Sequence, residues 1–414
     1  MAVSIVNLLF VSGLFQKERE QEIFSKFKMF PYAAANAHQW HILEGLAERT
    51  DVDVEVVNAA FVGTYPREYK DSYIRSGGWE YKGVKVREVG FLNLFGIRSI
   101  ARTIGVYRGI VRWWKERRGG ENTAVLYSMI TPFMLAGALA KKRCKGLKLC
   151  LYLPDLPGSF LQIGGKGKIY RFLKKLDCAL MESLLEKMDS FVLLTEQMNE
   201  KVNPCREKPY TVVEGIVSVE DATDAEHFVS AKKPSFVYTG LIDRAFGVLD
   251  LVQAFTLMDG DCTLELYGEG EALGDIRKMA EKDSRISCHG AVPRDEALKH
   301  QREATVLVNP RMPDRDFVRY SFPSKTLEYL LSGRPVLMFK LDGIPEEYDR
   351  YLSFFPSADH REMADAMKCI LDLSPEELTA LGQKGRDFVL REKNEEKQAG
   401  KLIALLKRSG KKDG

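Results

Sequence analysis

The sequence has no apolar run of the roughly 18–20 residues that a membrane-spanning helix needs. Its longest candidate, Thr131 to Ala140, is followed at once by Lys141, Lys142 and Arg143. No spanning helix is expected. The apolar start, Met1 to Val11, lacks a preceding basic segment and a small-residue cleavage site before the charged stretch Lys17 to Glu22, so it reads as a buried first strand. Cysteine is scarce: the seven residues are odd in number and scattered, with no CxxC pair and no Cys/His spacing suited to zinc. Buried thiols in a reducing cytoplasm are expected. No Asp-x-Asp stands at a strand end, because Asp51-Val-Asp53 precedes a strand and Asp259-Gly-Asp261 has the look of a turn. Both read as polar connections, and neither a metal nor another cofactor is expected. No internal repeat or low-complexity segment is visible, and no recognised nucleic-acid module accompanies the basic residues, which argues against nucleic acid as a partner.

What the sequence does have is the composition of a packed protein, with 45% hydrophobic and 29% charged residues. Its 414 residues suit two domains of about 150–200 residues each. The net charge of +3 conceals an asymmetry: residues 1–215 carry 32 basic against 23 acidic side chains, and residues 216–414 carry 29 against 35. Within residues 91–188 the ratio is 18 to 6, and the stretch Phe91–Gly120 adds Trp113, Trp114, Leu92, Leu94, Phe95 and Ile97 to seven basic residues. A basic amphipathic helix of this kind suits an anionic membrane surface, although a core helix with a solvated basic face has the same composition.

Short β-branched or apolar runs alternate with longer helical patterns through the first half: Ser4–Val11, Val54–Asn58, Val84–Glu88, Ala124–Ser128, Leu147–Leu153 and Ser190–Leu194 have strand character. After an acidic, polar stretch within Val212–Lys233, read as a linker, the alternation restarts with strands at Ser235–Thr239, Cys262–Leu266, Arg285–Cys288, Thr305–Asn309 and Pro335–Phe339. Such alternation predicts parallel sheets covered on both faces. The expected fold is α/β, with two doubly wound Rossmann-like domains facing across a cleft. Residues 1–212 form the first and 213–391 the second, and a C-terminal helix over 392–408 returns to the first.

In open α/β sheets ligands bind beyond the carboxyl ends of the strands. Four strand ends of the second half are furnished for this: Tyr238-Thr-Gly240 with Arg244 and Gly247 behind it, Tyr267-Gly-Glu-Gly270, His289-Gly-Ala-Val292, and Val308-Asn-Pro-Arg311. After the last comes Ser321-Phe-Pro-Ser-Lys325, where a helix begins near Pro323, whose fixed φ suits a first helical position. The free amides of that helix start attract an anion. Lys325 in its first turn favours a phosphate there, and Glu328 can accept both hydroxyls of a ribose diol. The same two residues also fit a plain i,i+3 ion pair.

The ordered set Tyr238-Thr-Gly, Tyr267-Gly-Glu-Gly, Arg285-Ile, His289-Gly, Val308-Asn-Pro, Phe322-Pro-Ser-Lys-Thr-Leu-Glu-Tyr-Leu and Ser332-Gly-Arg-Pro-Val resembles the C-terminal half of retaining GT-B glycosyltransferases of the family 4 group. The motifs cover roughly residues 211–408, and the Phe-Pro-Ser-Lys form is similar to a branch associated with surface polysaccharide assembly. The resemblance implies transfer of a sugar from a nucleotide diphosphate sugar, UDP-linked ahead of GDP-linked, to a glycan or lipid-linked acceptor. It implies a donor site in the second domain made of Gly240, Arg244, Gly268, Glu269, His289, Val292, Arg311, Ser321, Phe322, Pro323, Lys325 and Glu328. The first domain would hold the acceptor near Ser12, Gly13 and Asp155. With Arg244 and Lys325 on the leaving diphosphate and Asp155 as an acceptor base, or as the cap of a turn between Pro154 and Pro157, the reaction is expected to run without a metal, at the inner face of the cell membrane or free in the cytoplasm.

Three positions depart from the family pattern. Tyr320 stands eight positions before Glu328, near where a sugar-contacting glutamate is common, and Leu241 and Phe246 occupy places usually basic. They keep two other readings open: a catalytically silent GT-B subunit that binds a nucleotide or partner enzyme, and a GT-B sugar-nucleotide epimerase.

Overall fold

The computed structural model describes residues 5–28, 32–117, 120–157, 168–220, 222, 233–314 and 318–410. The chain divides into two compact units, one made of Met1–Ile216 with Glu395–Gly414 and the other of Val217–Asn394. The stretch read as a linker falls in part on residues 221 and 223–232, which lie outside the described residues.

The first unit is built on strands β1 (Val6–Ser12), β2 (Val52–Asn58), β3 (Tyr73–Ile74), β4 (Gly77–Tyr81), β5 (Val84–Glu88), β6 (Phe91–Leu92), β7 (Asn122–Tyr127), β8 (Lys148–Leu153), β9 (Ser190–Leu193) and β10 (Tyr210–Val212). Eight of them form one sheet in the order β10-β9-β8-β7-β1-β2-β5-β4, parallel except for β4, while β3 and β6 make a separate antiparallel pair. Its helices are α1 (Glu20–Phe24), α2 (Ala33–Ala47), α3 (Ile97–Glu116), α4 (Thr131–Arg143), α5 (Lys168–Leu185) and α6 (Asn199–Val202). The central strands are buried on both faces: Leu8, Leu9, Phe10 and Val11 of β1 are fully enclosed. This is why they read as continuous apolar runs and not as alternating ones.

The second unit carries β11 (Ser235–Thr239), β12 (Thr263–Tyr267), β13 (Ile286–Gly290), β14 (Val306–Asn309), β15 (Val336–Met338) and β16 (Ser353–Phe354), with α7 (Val248–Thr256), α8 (Leu273–Ala280), α9 (Arg294–Glu303), α10 (Ser324–Leu331), α11 (His360–Leu371) and α12 (Pro375–Glu392). The strands form an all-parallel sheet ordered β13-β12-β11-β14-β15-β16, which is the doubly wound 3-2-1-4-5-6 arrangement. In that arrangement the chain leaves the centre in opposite directions after β11 and after β14. The helices begin as their sequences dictate: Ser374 and Glu377 make a reciprocal capping box on α12, and Asp359 caps α11.

The last helix, α13 (Glu395–Gly410), belongs to the first unit, where Ala399, Leu402, Ile403, Leu405 and Leu406 join the core around Leu43, Leu46 and Val213.

Three expectations are corrected here. Pro323 is the N-cap of α10 and the helix starts at Ser324, because the Pro323 backbone is extended. The cysteines are all free, but only Cys144, Cys150 and Cys262 are buried, and Cys205 and Cys369 lie exposed at the surface. Trp113 is fully buried on α3, since it shares a helical face with Val106 and Ile110 and follows them into the core.

Candidate functional site

In the second unit the strand ends after β11 and β14 flank the point where the winding reverses. A recess of about 250 Å³ opens there, lined by Tyr238 to Leu241, Phe246, Asn309, Arg311, Phe322 to Lys325 and Tyr329. The N-terminus of α10 points its first turn at this space, and Pro323 offers no side-chain cap to the amides of that turn. Arg311 lies over the Phe246 ring, 5.0 Å from its centroid, and burial lowers the guanidinium pKa. A charge held in so enclosed a place gains from a bound anion.

Glu328 does not itself line the recess; three residues on from Lys325 in α10, its carboxylate is held through one oxygen. Oε1 accepts from Lys325 Nζ at 2.6 Å and from Gln301 Nε2 at 2.5 Å. Oε2 has no hydrogen bond among the described residues, and the side chain keeps 24% of its surface. The i,i+3 pair anticipated on α10 is thus present, yet it uses only half of the carboxylate. Gln301, fully buried on α9, also donates to Thr239 Oγ1 at 2.8 Å, and the Tyr329 hydroxyl accepts from the Thr239 amide at 2.9 Å. The network fixes the position of Glu328 at the end of β11. Gln301, Thr239 and Tyr329 were not among the residues expected at the site.

The other expected donor residues fall in several places. Gly240, Arg311, Phe322, Pro323 and Lys325 line the recess, whereas Ser321, directly before Phe322, does not. Gly268 packs beneath Gly240: its φ is +147°, and an ideal Cβ there would stand 1.7 Å from the Gly240 carbonyl oxygen. The loops are laced by backbone bonds from Gly240 N to Tyr267 O and from Gly268 N to Gly290 O. Glu269 is exposed and Val292 half-buried beyond these loops. Arg244 does not lean over the recess, because it is paired with Asp275 of α8. His289 is likewise elsewhere, on the edge strand β13, where its exposed ring stacks on Tyr267 at 4.4 Å with Glu265 2.7 Å from its Nε2.

The first unit has its own reversal point between β1 and β7. Ser12 and Gly13, expected to meet an acceptor, are engaged inside the protein. The Ser12 hydroxyl donates to Asn58 Oδ1 at 3.0 Å and the Gly13 amide to Gln39 Oε1 at 2.7 Å. Ser12 is fully buried, so it shapes the strand end without meeting solvent. Beside it, His38 Nε2 lies 3.1 Å from the Tyr152 hydroxyl, and the buried Tyr127 hydroxyl has no hydrogen-bond partner among the described residues. Ser128, directly after β7, adopts φ +71°, a strained conformation for a residue with a side chain. Asp155 stands two residues past β8. Its own surface is open to solvent, while the surrounding protein at longer range withdraws enough water to raise its carboxyl pKa. Asp51 is held by Arg49 and Lys407, and Asp53 by Arg117. Among the described residues no three His, Cys, Asp or Glu side chains gather as a set able to hold a metal ion.

The environment of His38 carries a pH prediction. Burial first, and then the neighbouring His41, push its pKa down from 6.5 to about 3. The unfolded chain takes up a proton near pH 6.5 that the folded protein refuses, so stability is lost as the pH falls from 6.5 towards 3, by at most about 1.4 kcal/mol per pH unit. Urea denaturation at pH 6.5 and pH 5 should show a shallower loss for His38→Gln than for the parent. Identical slopes would mean that His38 is already solvated.

Comparison with known proteins agrees with the fold. Residues 233–373 match the family model of glycosyl transferases group 1. The sequence matches no curated protein. Similar structures include sucrose-phosphate synthase from Thermosynechococcus elongatus, at 15% identity over 98% of each chain with a TM-score of 0.60. They also include the lipopolysaccharide outer core galactosyltransferase WaaB, at 11% identity over 97% of this chain and 99% of that one, TM-score 0.62. A UDP-forming α,α-trehalose-phosphate synthase from Burkholderia xenovorans is similar at 11% identity over 98% and 99%, TM-score 0.63. The chain thus has the two Rossmann-like domains of the GT-B fold.

Proposed function

From a second unit that is a glycosyl transferases group 1 domain, we propose a retaining glycosyltransferase that takes a sugar from a nucleoside diphosphate donor, UDP-linked ahead of GDP-linked, and builds a surface polysaccharide or lipid-linked glycan. The observation that carries this is Glu328: a carboxylate fixed through one oxygen, with the other left for a ribose diol, beside an uncapped helix start and two cations. The UDP-forming synthase among the similar structures supports uridine as the base.

In this reading Glu328 Oε2 receives the ribose hydroxyls while the amides of Ser324 and Lys325 face the diphosphate. As the bond between the anomeric carbon and the phosphate oxygen breaks, the nucleoside diphosphate leaves with the electron pair. Arg311 and Lys325 oppose the growing charge, which makes a metal unnecessary. The acceptor hydroxyl forms the new bond to the anomeric carbon and gives its proton to a base. Asp155, with its raised pKa, is the candidate in the first unit. Arg244 remains a leaving-group residue only where it exchanges Asp275 for phosphate. Donor hydrolysis or transfer assays with UDP- and GDP-sugars, in EDTA, test the proposal. Turnover with one donor class that survives EDTA supports it, and nucleotide binding without turnover favours a silent subunit.

The same reading places the enzyme on the inner membrane face, where lipid-linked acceptors lie. Among the described residues no helix is long and apolar enough to cross a membrane. Support comes from α3 and the segment before it, which expose Leu92, Phe95, Ile97, Ile100 and Ile104, with Phe95 at 89%. On α5, Phe172, Leu173, Leu176 and Leu180 are exposed beside Lys174 and Lys175. The patch of 91–188 also spans residues 118, 119 and 158–167, which are outside the described residues. Trp113 is buried and cannot be one of its apolar contacts; the exposed aliphatic and phenylalanine side chains supply them in this reading. Co-sedimentation with phosphatidylglycerol vesicles should fall at least tenfold for the double variant Ile100→Glu, Ile104→Glu. An unchanged bound fraction would remove the membrane from the account.

A further inference from the structure

Beside the cluster of His38, Tyr152 and Asp155, which it does not include, the first unit is open where Leu14, Phe15 and Asn58 stand at the ends of β1 and β2. A recess of about 1020 Å³ opens between the α1 segment and the β3–β6 insertion. That is at the upper end of the roughly 300–1,000 Å³ usual for small-molecule sites. Rings of Tyr65, Tyr69, Tyr73 and Trp79 stand in its walls. Trp40 backs Trp79, with centroids 5.6 Å apart and planes at 29°, and Glu88 Oε1 accepts from the Trp79 indole at 3.3 Å, so that ring is fixed in place.

The charges in the recess are sorted. Arg19 Nε meets Glu22 at 3.0 Å, Lys26 meets the same carboxylate at 2.8 Å, and Lys26 also meets Asp71 at 3.0 Å. This chain neutralises two cations with two acids. Lys70 donates only to the Ser25 carbonyl, at 2.8 Å, and Arg75 has no hydrogen bond or ion pair among the described residues. Against these two cations stands Glu88 alone, and its carboxylate already accepts the indole N–H. The lining of the recess therefore holds one more cation than carboxylates.

We infer that this recess binds an acidic saccharide. The held ring of Trp79 and the accessible rings of Tyr65 and Tyr73 offer apolar faces to the C–H side of a pyranose. The ion-paired acids and bases offer acceptors and donors to its hydroxyls. Arg75 and Lys70 meet its carboxylate, sulfate or phosphate group, with Arg75 able to do so through two parallel hydrogen bonds. The inference uses the first unit alone and stands whether or not the second binds a nucleotide.

Calorimetry on the full chain tests it, using trisaccharides of uronic acid, of sialic acid and of sulfated galactose, each beside its neutral counterpart, with a nucleoside diphosphate titration as an independent control. At least one acidic trisaccharide should bind at least tenfold more tightly than its neutral counterpart. That binding should weaken at least tenfold in Arg75→Ala, in Lys70→Ala and in Tyr73→Ala, and in 0.5 M salt for the charged arm. All three side chains are exposed, so the variants should melt with the parent. No binding by any acidic trisaccharide, equal binding of the neutral ones, or affinity untouched by both Arg75→Ala and Lys70→Ala would overturn it. A loss of nucleotide binding alone would leave it standing.

Discussion

Replacing Glu328 by alanine is expected to weaken nucleoside diphosphate binding 10- to 100-fold, about 1.4–2.7 kcal/mol, while the melting temperature changes little. The carboxylate sits at the end of a buried network. Gln301 and Lys325 hold Oε1, and Oε2 is left without a partner among the described residues. Two ribose hydroxyls on a charged acceptor are worth roughly the stated range, because hydrogen bonds to charged groups contribute about 1.5–3 kcal/mol. Glu328→Gln keeps an oxygen and the shape of the side chain, so its loss should be smaller. Isothermal titration of both variants checks this, and an affinity unchanged in Glu328→Ala would take the ribose role away.

The largest effect on stability is expected from Gly268→Ala, which should cost the second unit about 3 kcal/mol or more and abolish nucleotide binding. Two penalties combine. At φ +147° a side chain is strained by roughly 1–3 kcal/mol, and the new Cβ would occupy the place of the Gly240 carbonyl oxygen, 1.7 Å away. That oxygen belongs to the strand end that lines the recess, so relief of the clash displaces the site itself. Gly274, at the start of α8, is the control: an added Cβ meets nothing within 4 Å. Gly274→Ala should be neutral or stabilising by a few tenths of a kcal/mol to about 1 kcal/mol. Chemical denaturation of both variants separates the two cases, and equal stabilities would show that the Gly268 loop adapts.

Much of this architecture is legible in the sequence. Strands buried on both faces, such as Leu8–Val11 and Val306–Asn309, announce themselves as unbroken apolar runs. The edge strand β4 did not, because Gly77-Gly78-Trp-Glu-Tyr has neither apolar continuity nor clean alternation and is held in place by antiparallel pairing with β5. The spacing of Lys325 and Glu328 allowed their ion pair as one of two readings, whereas the helix starts at Ser324, one residue later than Pro323 suggested, because the Pro323 backbone is extended. Gln301 could not: it sits in the polar sequence of α9, and only the packing of that helix over the end of β11 turns it into a buried donor. The misplacement of Arg244 has the same origin. A loop arginine is drawn to whichever acid the next helix brings, and Asp275 of α8 is remote in sequence. Ser12 misled in the opposite sense, since a hydroxyl at a strand end looks like a ligand contact until Asn58 of the neighbouring strand is seen to take it. The inward turn of Trp113 was readable from its spacing with Val106 and Ile110.

The central claim is that the recess at the ends of β11 and β14 is a nucleoside diphosphate site. Calorimetric titration of the purified protein with UDP, GDP and ADP, with and without EDTA, tests it most directly. One site per chain is expected, selective for one base with UDP ahead of GDP, unaffected by EDTA and weakened by both Glu328→Ala and Lys325→Ala. Absence of binding by all three nucleotides, or binding that neither variant alters, would contradict it.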